Sequence, residues 1–256
     1  MPLTTTSPTI AEAVAALKAF ADRLPQLPGL HIASPEIGEP APAEDIIRLR
    51  ATPGLLPPDL IDLYELMNGC EIMWKFRDPN KPAPEDGEWE EELEWGYEDG
   101  RFYIPALKKI QLKNDLENQF SFFGPNARSV CFEQTEPEYG TWLVAYGSGG
   151  PMPEEERQDY HPEDYLDEQD DDYDFATESE QADVTNARLM HQVYKDEYLP
   201  LPGTVADYLV QAVAHGCVLH WPLAWQGENA DMDRLGDEWE GSVSQQVERF
   251  HTVTGR

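Results

Sequence analysis

Cysteine is scarce in this chain: Cys70, Cys131 and Cys217 are its only three, an odd number, widely separated and without a Cys-x-x-Cys spacing. That pattern argues against a disulfide framework and a zinc ribbon, and leaves the buried thiol as the default for each. Cations are scarce too. Eighteen Lys and Arg stand against 50 Asp and Glu, a formal net charge of -32, which repels nucleic acid and anionic membrane surfaces. Long apolar runs are missing, and no stretch approaches the length needed to cross a bilayer. The opening MPLTTTSPTIAEAVAALKAF has no cationic start followed by an apolar run, so the expected location is cytoplasmic, with no membrane and no direct nucleic-acid contact. No internal repeat and no clean linker divides the chain.

What is present suffices for a globular core. Hydrophobic residues make up 40% and aromatics 11% of 256 residues, too many for a wholly disordered polymer. Ser7-Pro8 predicts an N-cap and first helical position, followed at helical spacing by Ile10, Val14, Leu17, Ala21 and Leu24, with Pro25 as the stop. After a proline-rich connector, a short helical patch spans Ile46 to Leu49. A second helix starts at Pro57-Pro58, carries Leu60, Ile61, Tyr64 and Met67, and closes at Asn68-Gly69. Asp59 and Asp62 stand near the positive end of its dipole, and Gly69 suits a left-handed position beyond its end.

The period then changes. Glu71 to Phe76, Arg101 to Ile104, Ser129 to Glu133 and Thr141 to Tyr146 read as short antiparallel strands bounded by Gly, Pro or Asn. Thr204 caps a helix with the apolar stripe Val205, Tyr208, Leu209, Ala212 and Val213, with Asp207 three residues past the cap and Gly216 beyond the end. Cys217 to Trp221 reads as a strand, and Trp239, Val243, Val247 and Phe250 sketch a terminal helix. The expected class is α+β: a single domain over residues 1–256, with an antiparallel multi-strand sheet flanked by helices and two acidic insertions.

Those insertions hold most of the charge. Glu85 to Asp99 has nine acids in fifteen residues, and Pro153 to Glu180 has fourteen acids opposed only by Arg157. Aromatics are interleaved: Trp89, Leu93, Trp95 and Tyr97 in the first, and Tyr160, Tyr165, Leu166, Tyr173 and Phe175 in the second. In a strand, Trp89, Leu93, Trp95 and Tyr97 would share one face and Glu88, Glu90, Glu92 and Glu94 the other. A run of like charge is ordinarily a solvated face, but aromatics can anchor it to its own domain or to a partner. A salt-adapted cytoplasm would spread its acids over the surface; clustering argues for a local purpose.

Other chemistries fail on spacing or lack support. An EF-hand loop starting at Asp170 meets Phe175 where glycine is needed and Gln181 where glutamate is needed, and one starting at Asp167 meets Asp172 at the glycine position. His215, Cys217 and His220 suggest a soft metal site or a nucleophile pair. The competing reading puts a partly charged His215 at the negative end of a helix and Cys217 in an apolar strand. Gly147-Ser148-Gly149-Gly150 is followed by Pro151 and acids instead of the helix and lysine a phosphate loop requires. With fifty carboxylates, catalytic-looking acid pairs arise by chance. No catalytic residue, metal ligand or cofactor is assigned.

The block Leu56-Pro57 through Tyr64 to Asn68-Gly69, with a strand immediately after and the closing helix LPGTVADYLVQAVAHG, resembles the SUKH superfamily. That group includes fungal cell-wall regulators and bacterial immunity proteins against polymorphic toxins. The likeness covers about residues 43–150 and 198–225. It departs from the compact family plan in insertions at about 77–99 and 151–197 and in an extension over about 226–256. It implies a fold and a binding role without turnover, with Leu56 and Tyr64 facing a core and Asn68 and Gly69 shaping a turn; Leu56, Pro57, Tyr64, Asn68 and Gly69 form the structural motif. Joined to the clustered acids, it implies an immunity protein, an antitoxin of interbacterial competition, whose partner is a cationic toxin acting on nucleic acid, such as a nuclease. The residues expected to meet that partner are Trp89, Glu91, Glu92, Trp95, Asp164, Tyr165, Asp167, Glu168, Asp170, Asp171, Asp172, Tyr173 and Asp174, with the sheet face as the other possible interface. Two other readings stay open: a regulatory or scaffold protein of the same fold with an endogenous basic partner, and a carboxylate-based hydrolase.

Overall fold

Local rules account for the first helix, although its start is not where Ser7-Pro8 placed it. The computed structural model describes residues 7–32, 35–51, 56–77, 99–113, 128–134, 140–146, 183–194, 197–225 and 243–255. Helix α1 spans Ile10–Arg23, and its N-cap is Thr9. The Thr9 hydroxyl accepts from the Glu12 amide at 3.2 Å while the Glu12 carboxylate accepts from the Thr9 amide at 2.8 Å. This reciprocal pair satisfies two otherwise orphaned donors, which a cap at Ser7 would leave unmet. Ala13, Val14, Leu17, Phe20 and Ala21 form the buried face. A single 3-10 turn at Leu24–Gln26, carrying Pro25, ends the helix.

Helices α2 (Ala43–Ala51) and α3 (Pro58–Leu66) follow. Arg50 spans them, reaching Asp62 at 2.7 Å and Glu65 at 2.8 Å across an exposed surface. Pro58 takes the first helical position, where a missing amide costs nothing. The chain next forms the first of two antiparallel sheets. Strand β3 (Cys70–Phe76) is its spine, with β1 (Leu30–Ile32) and β2 (Glu36–Ile37) lying end to end along one edge and β4 (Gly100–Ile104) along the other. Cys70, Ile72, Trp74 and Phe76 are buried in strict alternation, as are Gly100, Phe102 and Ile104, so one face meets the helices.

The second sheet is a five-stranded meander: β5 (Gln111–Lys113), β6 (Arg128–Gln134), β7 (Gly140–Tyr146), β8 (Asp183–Tyr194) and β9 (Glu197–Pro200). Two sheets thus replace the one expected, every named strand pair is antiparallel, and the α+β class holds. Strand β8 falls inside the stretch read as the second insertion. Within the segment read as an insertion over about 151–197, residues 183–194 form a sheet strand and Glu197 begins β9 (Glu197–Pro200), so the sequence between β7 and β8 covers 147–182.

Helix α4 (Val205–Ala214) has the cap read from sequence: the Thr204 hydroxyl accepts from the Asp207 amide at 3.3 Å and the Asp207 carboxylate accepts from the Thr204 amide at 2.9 Å. It packs against α1. Beyond it, Cys217 to Trp221 is not a strand. Gly216 adopts φ +70°, Cys217 +55° and His220 +57°, and this tight turn delivers Trp221 into the short helix α5, Trp221–Trp225. Positive φ at Cys217 and His220 is incompatible with an extended run. Only Val218 makes a bridge, to Gly100.

The final helix, α6 (Val243–Thr254), buries Val243, Val247, Phe250 and Thr254. The segment read as a C-terminal extension therefore completes the core, with Trp239 outside the described residues. Phe250 sits 5.1 Å from the Trp74 ring and 6.4 Å from Phe20, centroid to centroid. Side chains from α1, both sheets and α6 join in one hydrophobic cluster, in which each fully buried large apolar side chain contributes about 1.5–3 kcal/mol.

Candidate functional site

Leu56, at 3% exposure, and Tyr64, at 0%, both lie in the core. Pro57 precedes the first turn of α3 as its N-cap. The Tyr64 hydroxyl donates to the Pro105 carbonyl at 2.8 Å, and the Asn68 side-chain oxygen accepts from the Leu107 amide at 2.8 Å. Gly69 adopts φ +89°, and a Cβ there would lie 2.8 Å from the Ile104 carbonyl oxygen. All five residues thus shape one corner where α3 passes into β3 and rests on the end of β4. Asp59, in the first turn of α3, has its carboxyl pushed above the usual range by burial and by Asp62 and Asp207, with the Val205 amide opposing.

The residues expected to meet a partner, Trp89, Glu91, Glu92, Trp95, Asp164, Tyr165, Asp167, Glu168, Asp170, Asp171, Asp172, Tyr173 and Asp174, all lie outside the described residues. So do the failed calcium registers and the glycine run. Their points of attachment are described. Residues 78–98 leave after β3 and return at Asp99, just before β4; residues 147–182 leave after Tyr146 and return at Asp183, which pairs with Tyr146. Together they carry 23 acids against Lys81 and Arg157, so 21 of the 32 net negative charges sit in two segments joined to strand ends.

The first attachment point is firmly built. The Asp99 carboxylate accepts from the Phe76 amide at 2.7 Å, the Asp99 amide donates to the Trp74 carbonyl at 3.1 Å, and the Arg77 amide donates to the Gly29 carbonyl at 2.8 Å. Burial raises the Asp99 pKa, opposed by the Phe76 amide and by Arg249 and Lys75. Arg249 also stacks 4.0 Å over the Phe76 ring, a cation–π contact. His31, paired with Lys75 across β1 and β3, has its pKa lowered by burial and by Arg77 and Lys75. A collar of His31, Lys75, Arg77 and Arg249 thus surrounds the root of the acidic segment.

A second constellation was not read from sequence. Glu133, Thr141, His191 and Tyr208 come from β6, β7, β8 and α4 and are buried at 1%, 0%, 0% and 0% exposure. The Tyr208 hydroxyl donates to the Glu133 carboxylate at 3.1 Å and lies 2.7 Å from the Thr141 hydroxyl, which is 3.0 Å from His191 Nδ1. His191 faces His220 edge to face at 6.2 Å, and its Nε2 is buried with no hydrogen-bond partner among the described residues. Burial, then His220, lowers the His191 pKa to about 3, so its ring is neutral. Burial, then Glu133, raises the Tyr208 pKa well above its usual value. Glu133 adjoins a bulge, where the β6–β7 register shifts between Cys131 and Glu133. Bulges and positive-φ residues such as Cys217 and His220 collect at sites that aim side chains. No acid run, short spacing or glycine motif marks these four positions; the only sequence signal was a tyrosine on the apolar stripe of α4.

The proposed trio of His215, Cys217 and His220 does not converge. The His215 Nδ1–H donates to the Gln211 carbonyl at 2.8 Å and its ring stacks on Trp221 at 5.7 Å, whereas His220 turns toward His191. Burial lowers the His215 pKa, opposed by the Gln211 carbonyl and assisted by His251. Cys70 and Cys217 are buried; Cys131 is only partly so, its thiol donating to the Glu133 carbonyl at 3.3 Å. Among the described residues no group of three or more His, Cys, Asp or Glu is placed to hold a metal ion, and no helix is long and apolar enough to cross a membrane. Comparison with family models, with curated proteins and with solved structures returns no match.

Proposed function

We propose that this chain is a SUKH-like immunity protein of the cytoplasm, binding a cationic toxin domain and occluding it without turnover. The observation that carries this reading is the segregation of charge: 21 of 32 net negative charges lie in two aromatic-bearing segments rooted at strand ends of a packed α+β scaffold. Enzymes that act on nucleic acid hold phosphate in basic clefts. A dense array of carboxylates can fill such a cleft as a phosphate mimic, with Arg and Lys donating charge-assisted hydrogen bonds to it. The aromatics Trp89, Trp95, Tyr165 and Tyr173 supply apolar contact of the kind that anchors an interface. Steering by a patch of this size raises the encounter rate by about 10- to 1000-fold at low ionic strength, an advantage that fades as salt rises.

The test is co-expression with a candidate toxin domain drawn from the genes neighbouring this one, scored by growth. Rescue is expected from the native chain and not from a variant in which Asp164, Asp167, Glu168, Asp170, Asp171, Asp172 and Asp174 become Asn or Gln. Equal rescue by both removes this segment from the interface, and absence of any complex at low ionic strength overturns the reading.

A further inference from the structure

The buried chain of Glu133, Tyr208, Thr141 and His191 has an unusual constraint: each hydroxyl carries one proton, and each lies between two partners. If Glu133 is ionised it can only accept, so Tyr208 spends its proton on the carboxylate. Thr141 must then donate to the Tyr208 oxygen across 2.7 Å, and His191 must donate its Nδ1–H to the Thr141 oxygen across 3.0 Å. The imidazole is thereby fixed as the Nδ1–H tautomer. If Glu133 is protonated and donates to Tyr208, the order reverses: Tyr208 donates to Thr141, Thr141 donates to Nδ1, and His191 must carry its proton on Nε2. These are the two arrangements in which all three hydrogen bonds are kept with each hydroxyl giving one proton and His191 neutral.

We infer that Glu133 and His191 are the two ends of one proton wire, which points toward Glu133 while that carboxylate is ionised and reverses as a unit when Glu133 takes up a proton. The step balances. A proton bonds to His191 Nε2; the Nδ1 proton moves to the Thr141 oxygen, the Thr141 proton to the Tyr208 oxygen, and the Tyr208 proton to Glu133 Oε2. The heavy atoms can stay in place, and every donor exchanges roles with its acceptor. This matters because a buried polar group that loses its partner costs about 1–3 kcal/mol, and the wire lets a buried acid change state without that loss.

The surroundings favour the first direction at neutral pH. Among the described residues His191 Nε2 has no hydrogen-bond partner; it is a bare lone pair in the first arrangement and an unpaired N–H in the second, and orphaned N–H groups are the rarer of the two kinds. Titratable groups near the two ends come from several elements. Cys70 on β3 and Cys217 in the turn after α4 lie within electrostatic reach of Glu133, and both stay neutral because burial raises their pKa values. Cys131, on β6 itself, donates its thiol proton to the Glu133 carbonyl, and His220, before α5, faces His191. The wire joins three neighbouring strands to α4, so its direction is a property of the packed core.

Histidine nitrogen shifts and glutamate carboxyl carbon shifts of the full chain, followed by NMR on lowering pH, test this. The expected result is an Nδ1–H His191 at pH 7 that converts to Nε2–H at the same midpoint at which the Glu133 carboxyl carbon moves. In Thr141→Val, which keeps both ends and removes the link, the Glu133 signal should move without a tautomer change at His191. An Nε2–H His191 at pH 7, movement of either native signal alone, or movement of neither before acid unfolding overturns the inference. The native chain decides the matter by itself if the variant does not fold.

Discussion

The indole Nε1–H of Trp74 donates to the carbonyl of Gly216 at 2.9 Å, joining residues 142 apart in sequence. The same ring lies edge-on to Phe76 at 5.0 Å and against Phe250 at 5.1 Å. Trp74→Phe should therefore do more than trim a side chain. It leaves a buried carbonyl without its donor, a loss of about 1–3 kcal/mol, and chemical denaturation should show a lower midpoint with an unchanged slope.

Gly69 and Gly255 both have positive φ, at +89° and +69°, yet they differ in surroundings. A Cβ at Gly69 would press on backbone, 2.8 Å from the Ile104 oxygen and 2.9 Å from the Ala106 nitrogen, whereas one at Gly255 meets nothing within 4 Å. Gly255→Ala should cost about 1–2 kcal/mol, the conformational term alone. Gly69→Ala should cost clearly more, because neither contacting atom can rotate away. The difference in unfolding free energy between the two variants measures the steric part.

Stability should fall on acidification partly through His191. Its folded pKa of about 3 lies below the unfolded value of about 6.5. The unfolded chain therefore binds the proton first, so this stabilisation is complete above about pH 6.5 and is lost progressively as pH falls toward 3. His31 and His215, also shifted down, act with the same sign. Between pH 7 and pH 4, His191→Leu should lose less stability than the native chain, by on the order of a few kcal/mol. Parallel pH profiles for the two proteins would refute it.

Thr204→Ala removes the hydroxyl that accepts from the Asp207 amide and frees the carboxylate that reaches back to residue 204. A loss of about 0.5–2 kcal/mol is expected. Because α4 packs on α1, the loss should appear in the global unfolding transition and not as local fraying, which hydrogen exchange of the α4 amides will distinguish.

The three thiols should react in a fixed order. Burial raises the Cys70 pKa to about 12 and pushes that of Cys217 well above its usual value, while Cys131 is partly exposed. Reaction requires both thiolate and access. Brief alkylation of the native chain followed by mass spectrometry should label Cys131 first, with Cys70 and Cys217 labelled only after denaturant is added.

How far these features were legible depended on how local their causes are. The α4 helix could be read in full, since the Thr204–Asp207 box, the apolar stripe and Gly216 all lie within thirteen residues of one another. At α1 two local signals overlapped, and Thr9 with Glu12 prevailed over Ser7-Pro8 because the former satisfies two amides reciprocally. Strand β8 went unread. Its DVTNARLMHQVY carries no Gly or Pro, and the acidic run before it made the whole region look inserted. What makes it a strand is pairing with β7 on one side and β9 on the other. The turn at Cys217 to His220 misled for the converse reason: an apolar composition suited to a strand is bent by contacts to Trp74 and Asp99 that are distant in sequence.

The sequence by itself determined the helix stripes, most of the strand alternation and the concentration of acids in two segments, because each follows from spacing or charge along a few neighbouring residues. Tertiary structure alone decided that the last helix closes the core on Trp74 and that Glu133, Thr141, His191 and Tyr208 share one chain of hydrogen bonds. Those four positions are spread over 75 residues between Glu133 and Tyr208. Only the meeting of β6, β7, β8 and α4 brings their polar atoms within hydrogen-bonding distance and removes the water that would otherwise serve each of them separately.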